Sequence, residues 1–130
     1  MASNSKKRIL LVEDDEILSS ALTMKLKQAG FAIENCYSGD LALNLARDFD
    51  PDLILLDIIL PKVKGTTIIR QLKHDSELSH IPVIMLTNLS PRPSLIDEIK
   101  GAEPMFFLVK SQSTLEEIIE KVKEALKKGN

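Results

Sequence analysis

Two hydrophobic periods alternate along the chain. Short apolar runs, each bounded by turn-forming or charged residues, occupy positions 9–12, 31–36, 53–56, 81–86 and 105–109. Several are apolar at every position, the pattern of strands buried on both faces of a parallel sheet. Between them the apolar residues fall into helical spacing. Leu18, Leu22, Leu26 and Ala29 form one stripe; Leu41, Leu45 and Phe49 a second; Ile68, Ile69 and Leu72 a third; Leu95, Ile96 and Ile99 a fourth. The last and clearest stripe runs through Leu115, Ile118, Ile119, Val122 and Leu126. Ser113 and Glu116 before it have capping-box spacing, and lysines gather at its far end, where the helix dipole favours cations. Gly30 stands where a glycine commonly ends a helix.

Five strands alternating with five helices predict an α/β fold, a doubly wound parallel sheet covered on both sides. With 130 residues the chain holds one domain with a real core. It is too short for a closed barrel of about 250 residues and fits the flavodoxin-like strand order 2-1-3-4-5. Residues 1–7 are polar and basic and are expected to be a disordered lead-in, leaving the domain to residues 8–128.

Composition narrows the functional classes. No apolar run approaches the roughly 20 residues of a membrane span, and the N-terminus lacks the apolar stretch of a secretory signal. A formal net charge of −2 argues against direct nucleic-acid binding, which shows as a basic stripe or patch. The lysines of the last helix are interspersed with Glu120 and Glu124, as on a solvated face. Cys36, the single cysteine, has no disulfide partner; it suits a cytoplasmic location and is expected to be a buried small hydrophobe. His74 and His80 have no nearby cysteine or second ligand pair to make a metal site.

The candidate chemistry stands at the strand ends, since open parallel sheets bind ligands outside their carboxyl edge. The first strand ends in Glu13-Asp14-Asp15, the third in Asp57, the fourth in Thr87 and the fifth in Lys110. Singly, each has a plain structural explanation: a helix start with Asp15 as N-cap, a polar strand end, a turn residue, a snorkelling lysine. Jointly they converge. If strands one and three are neighbours, Glu13, Asp14 and Asp57 crowd carboxylates into one volume, which forces protonation or demands a cation. A hard divalent ion such as Mg²⁺ resolves that conflict, and Lys110 adds a second positive charge. Carboxylates, a metal and a lysine describe a phosphoryl-transfer site. Asp57, alone on its strand, is the candidate nucleophile. Glu13 and Asp14 would hold the metal directly or through water, the Thr87 hydroxyl would donate to one phosphoryl oxygen, and the Lys110 ammonium would meet another.

These residues carry a resemblance. The segments ILLVEDDE (9–16), PDLILLD (51–57), Leu60-Pro61 followed by Gly65, IPVIMLT (81–87) and FLVK (107–110), in this order, resemble response-regulator receiver domains from about Lys7 to Lys127. The resemblance implies an acidic pair Glu13 and Asp14, with Asp14 ligating Mg²⁺ (or Mn²⁺) by side chain. It also implies Asp57 as phosphoacceptor and the Ile59 backbone carbonyl as a metal ligand. Thr87 would move toward the phosphoryl group while an aromatic on strand five, Phe107 or else Phe106, turns inward. That movement would change the face formed by helix four, strand five and helix five. The donor implied is a phosphohistidine on a sensor histidine kinase or a histidine phosphotransfer protein. The protein would not be an enzyme beyond its own phosphorylation and dephosphorylation, and would act as a monomer or a phosphorylation-dependent dimer. Its output would pass through a downstream protein or an output domain absent from this chain, since only Gly129 and Asn130 follow the last helix.

The chain departs from the pattern at three places. Ser111 replaces the usual proline after Lys110; Pro91, Pro93 and Pro104 crowd the fourth helix, which is expected to be short or displaced; and a phenylalanine takes the place of a tyrosine switch. A second class of function on the same fold is a contact scaffold that is not phosphorylated, but such a protein would typically lack part of the acidic or lysine set. A flavodoxin-like cofactor binder would need a glycine- or hydroxyl-rich phosphate loop after strand one, where this chain has three acids.

Overall fold

A computed structural model of the protein describes residues 5–89 and 91–128; the first four residues of the expected lead-in, with Gly129 and Asn130, lie outside them. Lys6 and Lys7 are exposed and outside any regular element. Five strands, β1 (Arg8–Val12), β2 (Ala32–Cys36), β3 (Leu53–Leu56), β4 (Val83–Thr87) and β5 (Phe106–Val109), form one sheet in the order β2-β1-β3-β4-β5. Every neighbouring pair is parallel. The helices are α1 (Glu16–Gln28), α2 (Ala42–Phe49), α3 (Gly65–His74), α4 (Pro93–Glu98) and α5 (Leu115–Lys128). The predicted fold class and strand order are those observed.

The alternation of side chains along each strand divides the core in two. Leu10, Val12, Ile54, Leu56, Val83 and Met85 face α2, α3 and α4. Ile9, Leu11, Leu53, Leu55, Ile84 and Leu86 face α1 and α5. The three inner strands are wholly buried over these positions, and the register sets Val12 beside Leu56 and Leu56 beside Met85. Since apolar burial contributes about 25 cal/mol per Å² removed from water, this double coverage anchors the strand ends that carry the polar residues.

Local chemistry shapes the helix ends. Asp15 caps α1, accepting from the amides of Ile17 and Leu18 at 3.0 and 3.3 Å. At the other end Gly30 adopts φ +98°, its N–H donates to the Lys27 carbonyl, and the Phe31 N–H donates to Leu26; this is a Schellman closure, for which glycine carries no Cβ penalty. Cys36 is buried, as expected.

The structure corrects several local expectations. The capping box of α5 is Thr114 with Glu117, not Ser113 with Glu116. The Thr114 amide donates to Glu117 Oε1 at 2.7 Å and the Glu117 amide to Thr114 Oγ1 at 3.1 Å. Ser113 instead donates its hydroxyl to the Val109 carbonyl. Leu41 lies in a 3₁₀ turn and is exposed, so α2 turns Ala42 and Ala46 to the core with Leu45 and Phe49 at its margin. In α4, Leu95 and the following Ile99 are buried while Ile96 is exposed. Strands β2, β4 and β5 start one or two residues later than their apolar runs, since Phe31, Ile81 and Met105 precede the pairing, whereas β3 starts with its run and β1 one residue before, at Arg8.

Candidate functional site

The carboxyl edge of the sheet gathers the predicted residues. Glu13 and Asp14 follow β1, Asp57 follows β3, Thr87 ends β4 and Lys110 follows β5. Backbone bonds continue the ladder past the strands and hold the first two: Glu13 N–H donates to the Cys36 carbonyl and Asp57 N–H to the Val12 carbonyl. Gly65 and Gly39 close the packing behind them. A Cβ on Gly65 would meet the Asp57 carbonyl oxygen at 2.1 Å, and one on Gly39 the Val63 carbonyl oxygen at 2.0 Å. Only glycine lets the start of α3 rest on the backbone of Asp57. The motif containing Gly65 was visible in the sequence; nothing in the Ser38-Gly39-Asp40 turn marked Gly39 as a packing point.

Glu13 and Asp57 are 2% and 5% exposed, so each needs compensation for lost hydration. Lys110 supplies it to both, with Nζ 2.6 Å from Glu13 Oε1 and 2.8 Å from Asp57 Oδ2. The remaining oxygens are held by backbone donors: Asp57 Oδ1 accepts from the Ile58 amide at 2.7 Å and Glu13 Oε2 from the Asp15 amide at 2.9 Å. Burial pushes the Glu13 carboxyl above its usual range, against the opposing bond from Lys110. For Lys110 burial alone would lower the pKa, but its bonds to Asp57 and Glu13 outweigh that and raise it. The lysine is therefore held charged between two acids. Its direct pairing with Glu13 was not evident from the sequence, which placed Lys110 only against an incoming phosphoryl group.

Asp14 is exposed and completes a cluster in which one carboxylate oxygen each from Glu13, Asp14 and Asp57 lie within 4.8 Å of one another. An octahedral Mg²⁺ holds oxygens at about 2.0–2.1 Å, so opposed ligands sit roughly 4 Å apart. Three hard oxygens at this spacing fit such a cation with small adjustments. Ile59, whose carbonyl the resemblance adds to the ligands, is two residues beyond Asp57 with its side chain 61% exposed.

Thr87 is buried, and among the described residues its hydroxyl oxygen accepts one long bond, from the Leu89 amide at 3.4 Å. The two candidate aromatics occupy opposite faces. Phe107 pairs with Met85 and packs on the α2–α4 side, the face toward which Thr87, two residues on, also points. Phe106 packs on the α1/α5 side, its ring 4.6 Å from Lys121 Nζ and 5.4 Å from Lys128 Nζ. Phe107 is thus the aromatic that shares a face with Thr87. Lys110 opens a 3₁₀ turn through Gln112, and no cis peptide bond occurs among the described residues, so Lys110–Ser111 is trans. The fourth helix is short, as its prolines predicted: six residues with Pro93 in its first turn.

Comparison with known proteins points the same way. Residues 9–123 match the family model described as the response regulator receiver domain. The chain is 43% identical over 81 residues to the polar-differentiation response regulator DivK of Brucella ovis, covering 62% of this chain and 66% of DivK. It is 38% identical over 94 residues to the DNA-binding dual master transcriptional regulator RpaA of Synechocystis, covering 72% of this chain and 38% of RpaA. The chain therefore spans just under two thirds of the first of these relatives and less than half of the second. In structure it is similar to a CheY-like receiver domain protein from Methanospirillum hungatei, with a TM-score of 0.87 over 96% of this chain and 97% of that one at 24% identity, which speaks to the fold alone. It is also similar to the signal receiver domain of a signal transduction histidine kinase from Syntrophus aciditrophicus, with a TM-score of 0.84 at 30% identity over 94% of this chain and 91% of that one.

Proposed function

The chain belongs to the response regulator receiver domain family of two-component signalling, and from that premise we propose that it accepts a phosphoryl group on Asp57 in a reaction dependent on Mg²⁺, with Mn²⁺ as a substitute. The observation that carries this is the convergence of Glu13, Asp14, Asp57 and Lys110 at one sheet edge, with the carboxylate oxygens inside 4.8 Å and Lys110 bonded to two of the three acids.

Asp14 and Asp57, with Glu13 and the Ile59 carbonyl, would hold the cation, which supplies charge neutralisation between the attacking carboxylate and the phosphoryl oxygens. The rest is done by the chain. A carboxylate oxygen of Asp57 forms the new O–P bond as the N–P bond of a phosphohistidine donor breaks, and the imidazole leaves with the bonding pair and takes up a proton. Lys110, already on Asp57 Oδ2, follows the negative charge onto a phosphoryl oxygen. The buried Thr87 hydroxyl exchanges its weak bond from Leu89 for donation to another. That movement vacates space on the face of Met85 and Phe107, and Phe107 turns inward to fill it. The change then reaches the surface of α4, β5 and α5, where a downstream protein or an output domain reads it. A sensor histidine kinase or a histidine phosphotransfer protein is the donor in this scheme. The protein turns over nothing but its own acyl phosphate. Among the described residues no helix is long and apolar enough to cross a membrane.

The test is to incubate the protein with Mg²⁺ and acetyl phosphate, and separately with beryllium fluoride, and to follow intact mass and backbone amide spectra. A phosphate-sized mass gain and shifts centred on Asp57, Thr87 and Lys110 are expected, both absent in Asp57→Asn and after chelation. Equal response of Asp57→Asn, or no response at all, would sink the proposal in favour of a contact scaffold.

A further inference from the structure

A cleft of about 360 Å³ opens one residue beyond Asp57, between the loop after β3 and the short helix α4. Its floor is apolar: Ile58 and Leu95 are buried, and Leu60 and Leu89 are half-buried. Ile59, 61% exposed, extends that apolar surface outward at the mouth. Two cations stand on the rim, Lys64 and Arg92, both exposed. Among the described residues neither side chain has a hydrogen-bond or ion-pair partner. The one acid of the lining, Glu98, already accepts a bond from the Thr66 hydroxyl at 3.0 Å. The rim is therefore net positive on a chain whose formal net charge is −2.

We propose that this cleft docks an acidic, leucine-bearing amphipathic segment of a partner protein, with apolar side chains on the Ile58–Leu60–Leu89–Leu95 floor and carboxylates on Lys64 and Arg92. The volume admits one or two aliphatic side chains. The cleft is open to solvent along its mouth, whereas small-molecule ligands are usually buried by about 70–90%. A helix laid across the mouth brings its apolar face to the floor and its flanking acids to the rim, the groove mode of peptide recognition. Charge complementarity of this kind sets specificity and approach rate more than raw affinity. None of the clustered carboxylates of Glu13, Asp14 and Asp57 lines the cleft, and the proposal concerns the unphosphorylated protein.

The probe is a short synthetic peptide whose helical repeat places leucine on one face and glutamate on the other, titrated into the isotopically labelled protein. Amide and methyl shifts are expected at Ile58, Ile59, Leu60, Leu89 and Leu95, and unchanged in the Asp57→Asn background. The double variant Lys64→Glu/Arg92→Glu, altered only at exposed positions, should bind the glutamate peptide about tenfold or more weakly. It should instead favour a peptide with lysine in place of glutamate. Three results overturn the inference: no shifts at millimolar peptide, shifts centred on the Phe106 and Lys121 surface, or equal binding of a peptide with serine in place of leucine. The last would mean that bare charge attraction, not the cleft, is responsible. Retention of the wild-type circular dichroism spectrum by the double variant separates loss of binding from loss of fold.

Discussion

Helices α1 and α4 lie against the same sheet on opposite sides, and they are held there by different means. Helix α1 has 13 residues, its own N-cap in Asp15 and a glycine closure at Gly30. Helix α4 has six residues, no side-chain bond at its N-cap Arg92, and an end finished by another helix. Arg70 of α3 donates from Nε to the Glu98 carbonyl at 2.5 Å, and from Nη2 to the Lys100 and Asp97 carbonyls at 3.0 and 3.4 Å. One helix is complete in its own sequence; the other borrows its cap. Segments of the second kind open at lower cost than the global fold. In the proposed scheme α4 belongs to the surface that changes.

Core truncation gives the largest expected contrast. Leu22→Ala removes a fully buried side chain from the α1/α5 core and should cost about 2–5 kcal/mol in urea unfolding. Leu95→Ala removes a side chain that is 5% exposed and borders the open cleft. Water and the short helix can both relax into that space, so its cost should lie near about 2 kcal/mol, at the lower end for such changes. Equal losses for the two variants would mean that α4 is held as firmly as α1, and the comparison would break.

The caps give the next. Thr114→Ala removes half of the reciprocal bond that starts α5 and should cost about 1 kcal/mol of global stability. Arg70→Ala should cost less globally, about 0.5 kcal/mol, since the freed carbonyls at the end of α4 can turn to water. Its signature is local: amide exchange should speed severalfold in α4 and stay unchanged in α1 and α5. Uniform acceleration across all three helices would show that Arg70 supports the whole fold and not α4 alone.

The same contrast explains what was legible in the sequence. The strands, α1 and α5 announce themselves because apolar period and capping residues lie within a few positions of one another. The candidate site was legible for a related reason: Glu13, Asp14, Asp57, Thr87 and Lys110 each stand at the end of an apolar run, and a parallel sheet brings such ends to one edge. The α5 capping box was displaced by one residue because Ser113 and Thr114 both match the pattern, and only the backbone position of Val109 decides between them. The hold of Arg70 on α4 was not legible, since it joins residues 27–30 apart across two elements. The bond from Lys110 to Glu13 and the positive rim of the cleft were hidden in the same way. Contacts set by tertiary approach leave no period.

Helix α3 lies between the two cases and yields the smallest effect. Asp75 follows its last turn and organises the next one, with Oδ1 accepting from the Glu77 and Leu78 amides at 2.8 and 3.2 Å. Its Oδ2 is also 2.6 Å from Arg47 Nη2 of α2, so the end of α3 is partly its own and partly borrowed. The bond from the Glu77 amide, then Arg47, hold the Asp75 carboxyl below the usual range. A carboxyl depressed on folding contributes stability that is present above its unfolded pKa, about 3.9, and is lost as pH falls through the folded value. Asp75→Ala should therefore lower stability at neutral pH and flatten the acid limb of the stability curve below about pH 4. Arg47→Ala should reproduce only the borrowed part, and that part should shrink in high salt because an exposed pair is screened. If Arg47→Ala flattens the acid limb as fully as Asp75→Ala does, the end of α3 is held by its neighbour alone and belongs with α4.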